Sequence, residues 1–483
     1  MDEVTPGRWM DRRLTRRGFL GAVGAGAAGL AVAACGSSSS GTTTTGGSGT
    51  NPASSFPLGA ASKSSSKPVP ITMWHSMTNA NLTTLQTLAS RFNASQSDVK
   101  VTLVNQPSYQ DTLTLYTTDL GGGALPDLVQ IETIDMQLMI DSQSIVAVGD
   151  AVAADSAFNV GELLPASVAY FKVTGTLWAM PFNQSSQVMY YDQKKFEAAG
   201  LDPAKPPLTL DEYHSYAHEI VSKGVAKYGT SLKMDPSNFE DWTAQGGGLL
   251  VNQDNGRTAR ATAVGFNDSL GLELFNFYSE MLSSKAAQAT PGTGGGAYDN
   301  LLAIPPGTAP MTIDTSAALG TILAVLGGGR YPKVKLGVGP LPAPSGPGGV
   351  PYGGAGLYIS KHSPAPQQDG AWQFIKFLVS ATSQATWTLG TGYIPINTKT
   401  PDLPSVKHAW TTTPEYTVAY NQILNTKPTT STAGAVCGPL AKVEQEITNA
   451  LVAISNGTSA SAAQSQATSA GNQDIASYNA RVS

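Results

Sequence analysis

The chain alternates between two hydrophobic periods, and that alternation restricts its fold more than any other feature. Val69, Ile71 and Met73 are separated by Pro70 and Thr72, the two-residue period of a half-buried strand. Leu82, Leu85, Leu88 and Phe92 then recur at helical spacing. Val99, Val101 and Leu103 return to the strand period, and Gln110 to Leu120 reads as another helix. Gly121-Gly122-Gly123 ends it, and Pro126 to Glu132 reads as a third strand. Strands alternating with helices predict an α/β fold with a mostly parallel sheet covered on both faces. Ligands of such sheets bind beyond the carboxyl ends of the strands. Trp74, Tyr109 and Glu132 sit at or just past such ends.

A second stretch divides the chain. The apolar pieces Leu177–Met180 and Val188–Tyr191 flank an uncharged polar knot, Asn183-Gln184-Ser185-Ser186-Gln187. Such a knot is either a solvated turn or chain that leaves one compact body and enters another, with its hydroxyls and amides facing a ligand. The helix after it, Asp192 to Ala199, is stopped by Gly200 and kept from restarting by Pro203. From Pro68 the body has 416 residues, long enough for two lobes with separate cores. On the crossing reading, 68–182 with 311–379 forms lobe I, and 183–310 with 380–483 forms lobe II. Hinges are then expected at Phe182–Gln187 and near Thr312 and Val379. Ser455 to Ser483 is rich in Ala, Ser and Gln and is expected to fray.

The N-terminus carries an address. Thr15-Arg16-Arg17-Gly18-Phe19-Leu20 is a twin-arginine export signal, followed by an apolar run ending Val32-Ala33-Ala34-Cys35. That run is too short for a permanent membrane span. Small residues before a Cys resemble the bacterial lipoprotein cleavage box, with Cys35 acylated (palmitate); plain signal cleavage is the alternative. Residues 36–67 are mostly Ser, Thr and Gly and are expected to form a flexible tether reaching roughly 30 Å. Removal of residues 1–34 takes the net charge from −5 to about −7. No basic patch stands out, so nucleic acid is not an expected partner. Cys437 is then the one remaining unmodified thiol, which leaves no internal disulfide.

Five pieces occur in a telling order: Trp74-His75-Ser76-Met77; Pro181-Phe182-Asn183 with Tyr190-Tyr191; Ala199 to Pro203; Gly353-Gly354-Ala355; and Thr391 to Ile396. The ordered set resembles the extracellular solute-binding proteins of bacterial ABC importers, nearest to the branch that binds glycerol-3-phosphate and glycerophosphodiesters. The resemblance spans nearly all of Pro68 to Ile454. It implies a type II periplasmic-binding-protein fold, a lipid-anchored monomer outside the cell membrane, a sugar, polyol or glycerophosphodiester as solute, and a membrane permease as partner. It implies no catalysis, cofactor or metal.

The resemblance also implies ligand contacts: Tyr109, Glu132, Ser185, Thr315, Gly354 and Tyr393, with Trp74 and Asp314 as candidates from their places at strand ends. Each has a plainer reading. The tyrosines are half-buried aromatics, Gly354 a turn glycine, Ser185 a solvated hydroxyl and Asp314 a helix cap. Two departures bear on the solute. The family's phosphate-clamping Arg matches Gly434 here, and the Trp often found after Pro-Pro-x-Thr is Leu210. Both weaken glycerol-3-phosphate as the ligand, because an Arg fork makes two charge-assisted bonds to phosphate. Rival readings are a surface carbohydrate hydrolase using Glu132 and Asp314, and an adhesive surface lipoprotein. His214 and His218 have the i, i+4 spacing of a zinc helix without its Glu and read as a solvated face.

Overall fold

The computed structural model describes residues 55–292, 298–346 and 348–482. The export signal, Cys35 and residues 36–54 lie outside them. Strands β1 (Val69–His75), β2 (Val99–Asn105), β3 (Leu128–Glu132) and the short β4 (Ile145–Val146) come first. A small ribbon follows, β5 (Lys172–Val173) and β6 (Thr176–Leu177). Next are β7 (Met180–Ser185) and β8 (Gln187–Asp192), separated by Ser186 alone. Then come β9 (Thr230–Met234), β10 (Ala287–Pro291), β11 (Met311–Thr315), β12 (Leu336–Pro340) and β13 (Gly353–Ser360).

The strands form two main sheets. One has the order β2-β1-β3-β13-β4, with β7 also pairing β13; the other is β10-β9-β11-β8-β12. In the first, β13 runs antiparallel to β3, β4 and β7, while β2, β1 and β3 are mutually parallel. In the second, β8 runs against both β11 and β12, while β9, β10 and β11 are parallel. Each sheet therefore has one reversed strand among parallel ones, and that strand lies beside a crossing. The carboxyl ends of β3, β7, β9 and β11 converge on the space between the sheets.

Local chemistry sets the elements. Asp192 caps the helix Gln193–Ala199 through the Lys194 N–H, and Gly200 closes it at φ 79°. Thr209 and Glu212 form a reciprocal capping box on Leu210–Ser222. Three tryptophans mark the interior. Trp372 is buried in lobe I and donates to Asp155 Oδ2 at 3.0 Å. Trp242 is buried in lobe II and donates to the Pro342 carbonyl at 2.8 Å. Trp387 lies at the neck, stacked between Phe182 (4.8 Å) and Tyr393 (5.5 Å).

Several expectations are corrected. β11 pairs with β8 and β9, and β12 with β8, so 311–340 belongs to lobe II rather than lobe I. Asn183 to Ser185 is still part of β7, in the lobe I sheet. The helix Ala381–Thr391 packs on the lobe I helix Asn79–Ser95, so lobe I continues past Val379. The crossings are therefore Ser185–Gln187, the run 341–352 between β12 and β13, and a passage before the helix Thr417–Leu424, which packs on β8 and β12. None lies at Thr312 or Val379.

The expected tether is also too long. Phe56 and Ala61 are buried, the Gly59 and Ala61 N–H groups donate to Asp369 at 3.0 and 2.9 Å, and Phe56 meets Trp372 edge-on. One aromatic ring and two backbone donors fix this segment despite its polar composition. The tail does not fray either. Ala460–Val482 is a 23-residue helix whose Ala463, Ala467 and Ile475 are buried, on the helices Leu440–Ser455 and Ser269–Ser283. Small side chains lower its apparent hydrophobicity but let it approach closely.

Candidate ligand-binding cleft

A cavity of about 290 Å³ opens between the two sheets. Tyr109, Glu132, Ser185, Asp314, Thr315, Gly354 and Tyr393 all line it. Trp74, expected with them, does not. Its side chain is in the core of lobe I, on β1 between Val104 of β2 and Val129 of β3. Leu210 is likewise a buried core residue and not part of the wall.

Strand ends carry most of the lining. Glu132 ends β3, Ser185 ends β7 and Thr315 ends β11, while Gly353 and Gly354 begin the reversed β13. Gly354 has φ 106°, and a Cβ there would lie 2.0 Å from the Asn183 carbonyl oxygen. Only glycine fits, because the strand needs both the left-handed backbone and the close approach.

A chain of hydrogen bonds fixes the first-lobe wall. Ser76 N donates to Gln130 Oε1 (3.1 Å), Gln130 Nε2 to Asn183 Oδ1 (2.6 Å), and Asn183 Nδ2 to the Tyr109 hydroxyl (2.8 Å). The Tyr393 hydroxyl bonds into the same group. With its oxygen already accepting from Asn183, the Tyr109 hydroxyl is oriented to donate. The second-lobe wall is held as firmly. Asp314 accepts from Asn300 Nδ2 (2.9 Å) and the Thr315 N–H (2.7 Å), and Lys233 Nζ lies 3.6 Å away. Its carboxylate is committed to these partners, which leaves it poorly placed as a hydrolytic base. Thr315, not Asp314, caps the turn at Ser316–Ala318. Gln422 ties the crossing itself, donating to Ser186 Oγ (3.2 Å) and the Gln187 carbonyl (2.9 Å).

Acidity is the feature that the sequence concealed. Glu240, Asp241 and Glu444 also face the cavity. Burial pushes the Glu132 carboxyl up to about 8, with repulsion from Asp135, Asp235 and Glu240 adding to it. Burial also raises Asp241 and Glu444 well above the usual range. Glu240 and Glu444 hydrogen-bond each other, an arrangement that requires a shared proton. On a helix wheel these carboxylates look like a solvated face. The available clue was the setting of Glu240-Asp241 between Phe239 and Trp242.

At the place of the expected Arg, Gly434 has φ 77°, and a Cβ would lie 2.5 Å from Tyr170 Cε2. A guanidinium does reach this corner, but from Arg257. It donates to the carbonyls of Gly434 (2.8 Å), Tyr170 (3.2 Å), Lys172 (3.1 Å) and Ala433. Those bonds pin lobe II to lobe I and leave the fork engaged with backbone.

Comparison with known proteins agrees with this architecture. The family model for bacterial extracellular solute-binding proteins matches residues 87–417. The sn-glycerol-3-phosphate-binding periplasmic protein UgpB of Yersinia pseudotuberculosis is 27% identical over 394 residues, 80% of this chain and 88% of that one. UgpB of Escherichia coli O1:K1 is 27% identical over 399 residues, covering 81% and 89%. Among solved structures, UgpB of Mycobacterium tuberculosis in complex with glycerophosphocholine has a TM-score of 0.70 at 20% identity, covering 85% and 99% of the two chains. The GacH receptor of Streptomyces glaucescens, solved unliganded and with acarbose, has a TM-score of 0.68 at 21% identity, covering 84% and 98%.

Proposed function

The chain belongs to the bacterial extracellular solute-binding protein family, and we propose that it captures a small hydroxylated solute between its lobes and delivers it intact to the permease of an ABC importer. The solute class is a sugar, a polyol or a glycerol-phosphate-derived compound; the relatives' names give sn-glycerol-3-phosphate, glycerophosphocholine and acarbose. The observation that carries this reading is the cavity itself. Tyr109, Glu132 and Tyr393 approach from one lobe and Asp314 and Thr315 from the other. Hydroxyl and carboxyl groups from two bodies can close on a polyhydroxy molecule, each making bonds that are complete only when the lobes meet. Acylation at Cys35 would hold the protein at the outer face of the membrane, as the sequence Val32-Ala33-Ala34-Cys35 suggests.

Thermal melting with a panel of sugars, polyols and glycerophosphodiesters tests the reading. A captured solute raises the melting temperature by mass action and is recovered unchanged. Glu132→Gln should weaken binding at least tenfold with the fold retained. A panel member that is chemically converted, or a Glu132→Gln protein with unaltered affinity, would count against it.

A further inference from the structure

The charge balance of the cavity wall is one-sided. Glu132, Glu240, Asp241, Asp314 and Glu444 face it, and Lys233 is the one basic side chain lining it among the described residues. Lys233 is held by Asp314 at 3.6 Å and Asp235 at 3.8 Å, and Arg257 is engaged with carbonyls. An anion entering here would meet several carboxyls and no uncommitted base. A cation would meet carboxyls and aromatic rings.

Independent of the acids, the Tyr352 side chain lines the cavity and is 4% exposed, and its hydroxyl has no partner within the protein. A buried hydroxyl without a partner is costly unless something else supplies one. Tyr109, Tyr170 and Tyr393 line the same wall, and aromatic surroundings favour ammonium groups.

We propose that the Glu240–Glu444 end of the cleft receives a cationic group, an amine or quaternary ammonium, carried by the hydroxylated solute. This rests on the reading of the cleft as a solute site and narrows the solute's class. The hydroxylated part lies toward Tyr109, Tyr393 and Thr315, and the nitrogen lies among Glu132, Glu240 and Glu444. The groups facing that end are Glu132 and Asp135 from lobe I, Asp235 and Asp241 from lobe II, and Tyr170, which has Arg257 over its ring. The basic groups nearby are Arg257, turned to the backbone, and Lys233, held between Asp235 and Asp314. Entry of a cation favours the ionised carboxyls, so binding releases protons and strengthens as the pH rises from 5.5 to 8.

The experiment incubates the purified protein with yeast extract, removes unbound molecules and identifies by mass spectrometry what denaturation releases. Glucosamine, choline, glucose and sn-glycerol-3-phosphate are titrated in parallel by calorimetry. The expected result is a retained molecule with a basic or quaternary nitrogen. The cationic probes should bind at least tenfold more tightly than glucose, and the preference should fall below threefold in Glu240→Gln/Glu444→Gln. Unchanged melting of that variant shows that its fold is kept. Retention of a neutral or anionic solute, or a preference that survives the double substitution, overturns the proposal and leaves the solute-receptor reading standing. A protein that retains nothing and binds no probe overturns both.

Discussion

Arg260 of lobe II grips Asp141 of lobe I with two parallel bonds, Nη1 to Oδ2 at 2.8 Å and Nη2 to Oδ1 at 2.7 Å. The Tyr478 hydroxyl, on the last helix, donates to the same Oδ2 at 2.9 Å. Planar bidentate pairs are among the stronger ion pairs, but Arg260 is partly open to solvent, so about 1 kcal/mol is a reasonable value. Any motion that separates the lobes at this edge must break the contact. Asp141→Asn should therefore shift the lobes apart by about fivefold in population. Small-angle scattering should report a larger radius of gyration, and stopped-flow a faster solute release. Scattering and release identical to the wild type would show that the pair does not restrain the lobes.

Restoring an arginine at residue 434 should fail to restore phosphate binding. The left-handed backbone and the 2.5 Å approach to Tyr170 leave no room for a Cβ. Gly434→Arg is expected to cost about 2 kcal/mol of stability and to leave the affinity for sn-glycerol-3-phosphate unchanged. Denaturant melts and calorimetry read the two effects. A gain of ten-fold or more in affinity would mean that the corner adapts more freely than its packing suggests.

Stability of the ligand-free protein should fall as the pH rises. The folded Glu132 carboxyl titrates near 8, against 4.5 for the free side chain. Below 4.5 both states are protonated. Between these values the unfolded chain ionises while the folded one does not, so stability is lost up to about pH 8. Asp135, raised by burial to about 7, acts in the same direction. The melting temperature should be higher at pH 5.5 than at pH 8, with Glu132→Gln flattening the slope. A slope unaffected by that substitution would place the titration elsewhere.

The segment 55–64 is part of the fold. Phe56 is 7% exposed against Trp372, and Phe56→Ala should destabilise by about 3 kcal/mol. Truncation before residue 55 should leave the melting temperature unchanged, while truncation to residue 65 should lower it by several degrees. Equal melting of the two truncations would return this segment to the tether.

What could be read from the sequence divides along physical lines. The strand periods at Val69–Met73 and Val99–Leu103, the cap at Gly200, and a crossing somewhere within Phe182–Gln187 are local signals that depend on neighbours in sequence. The boundary expected after Phe182 nevertheless falls three residues later, after Ser185. The placement of β11 and β12 in lobe II depends on pairing with β8, more than a hundred residues earlier, and no local period encodes a partner. Trp74 was misplaced for a related reason, because a strand end does not reveal which face a side chain takes. Glu240, Asp241 and Glu444 were missed because helical carboxylates ordinarily meet water. Phe56 went unnoticed because a single anchor does not alter the composition of a Ser-rich stretch.

On the proposed reading, a cleft between two hinged lobes holds a small molecule without altering it. Equilibrium dialysis of the wild-type protein and of Glu132→Gln against one metabolite mixture, followed over hours by mass spectrometry, tests it most directly. The predicted result is one small hydroxylated solute enriched on the wild type, at least tenfold less on the variant, with constant mass and total amount throughout. Equal enrichment on both proteins, or a solute whose amount declines while a product accumulates, would contradict it.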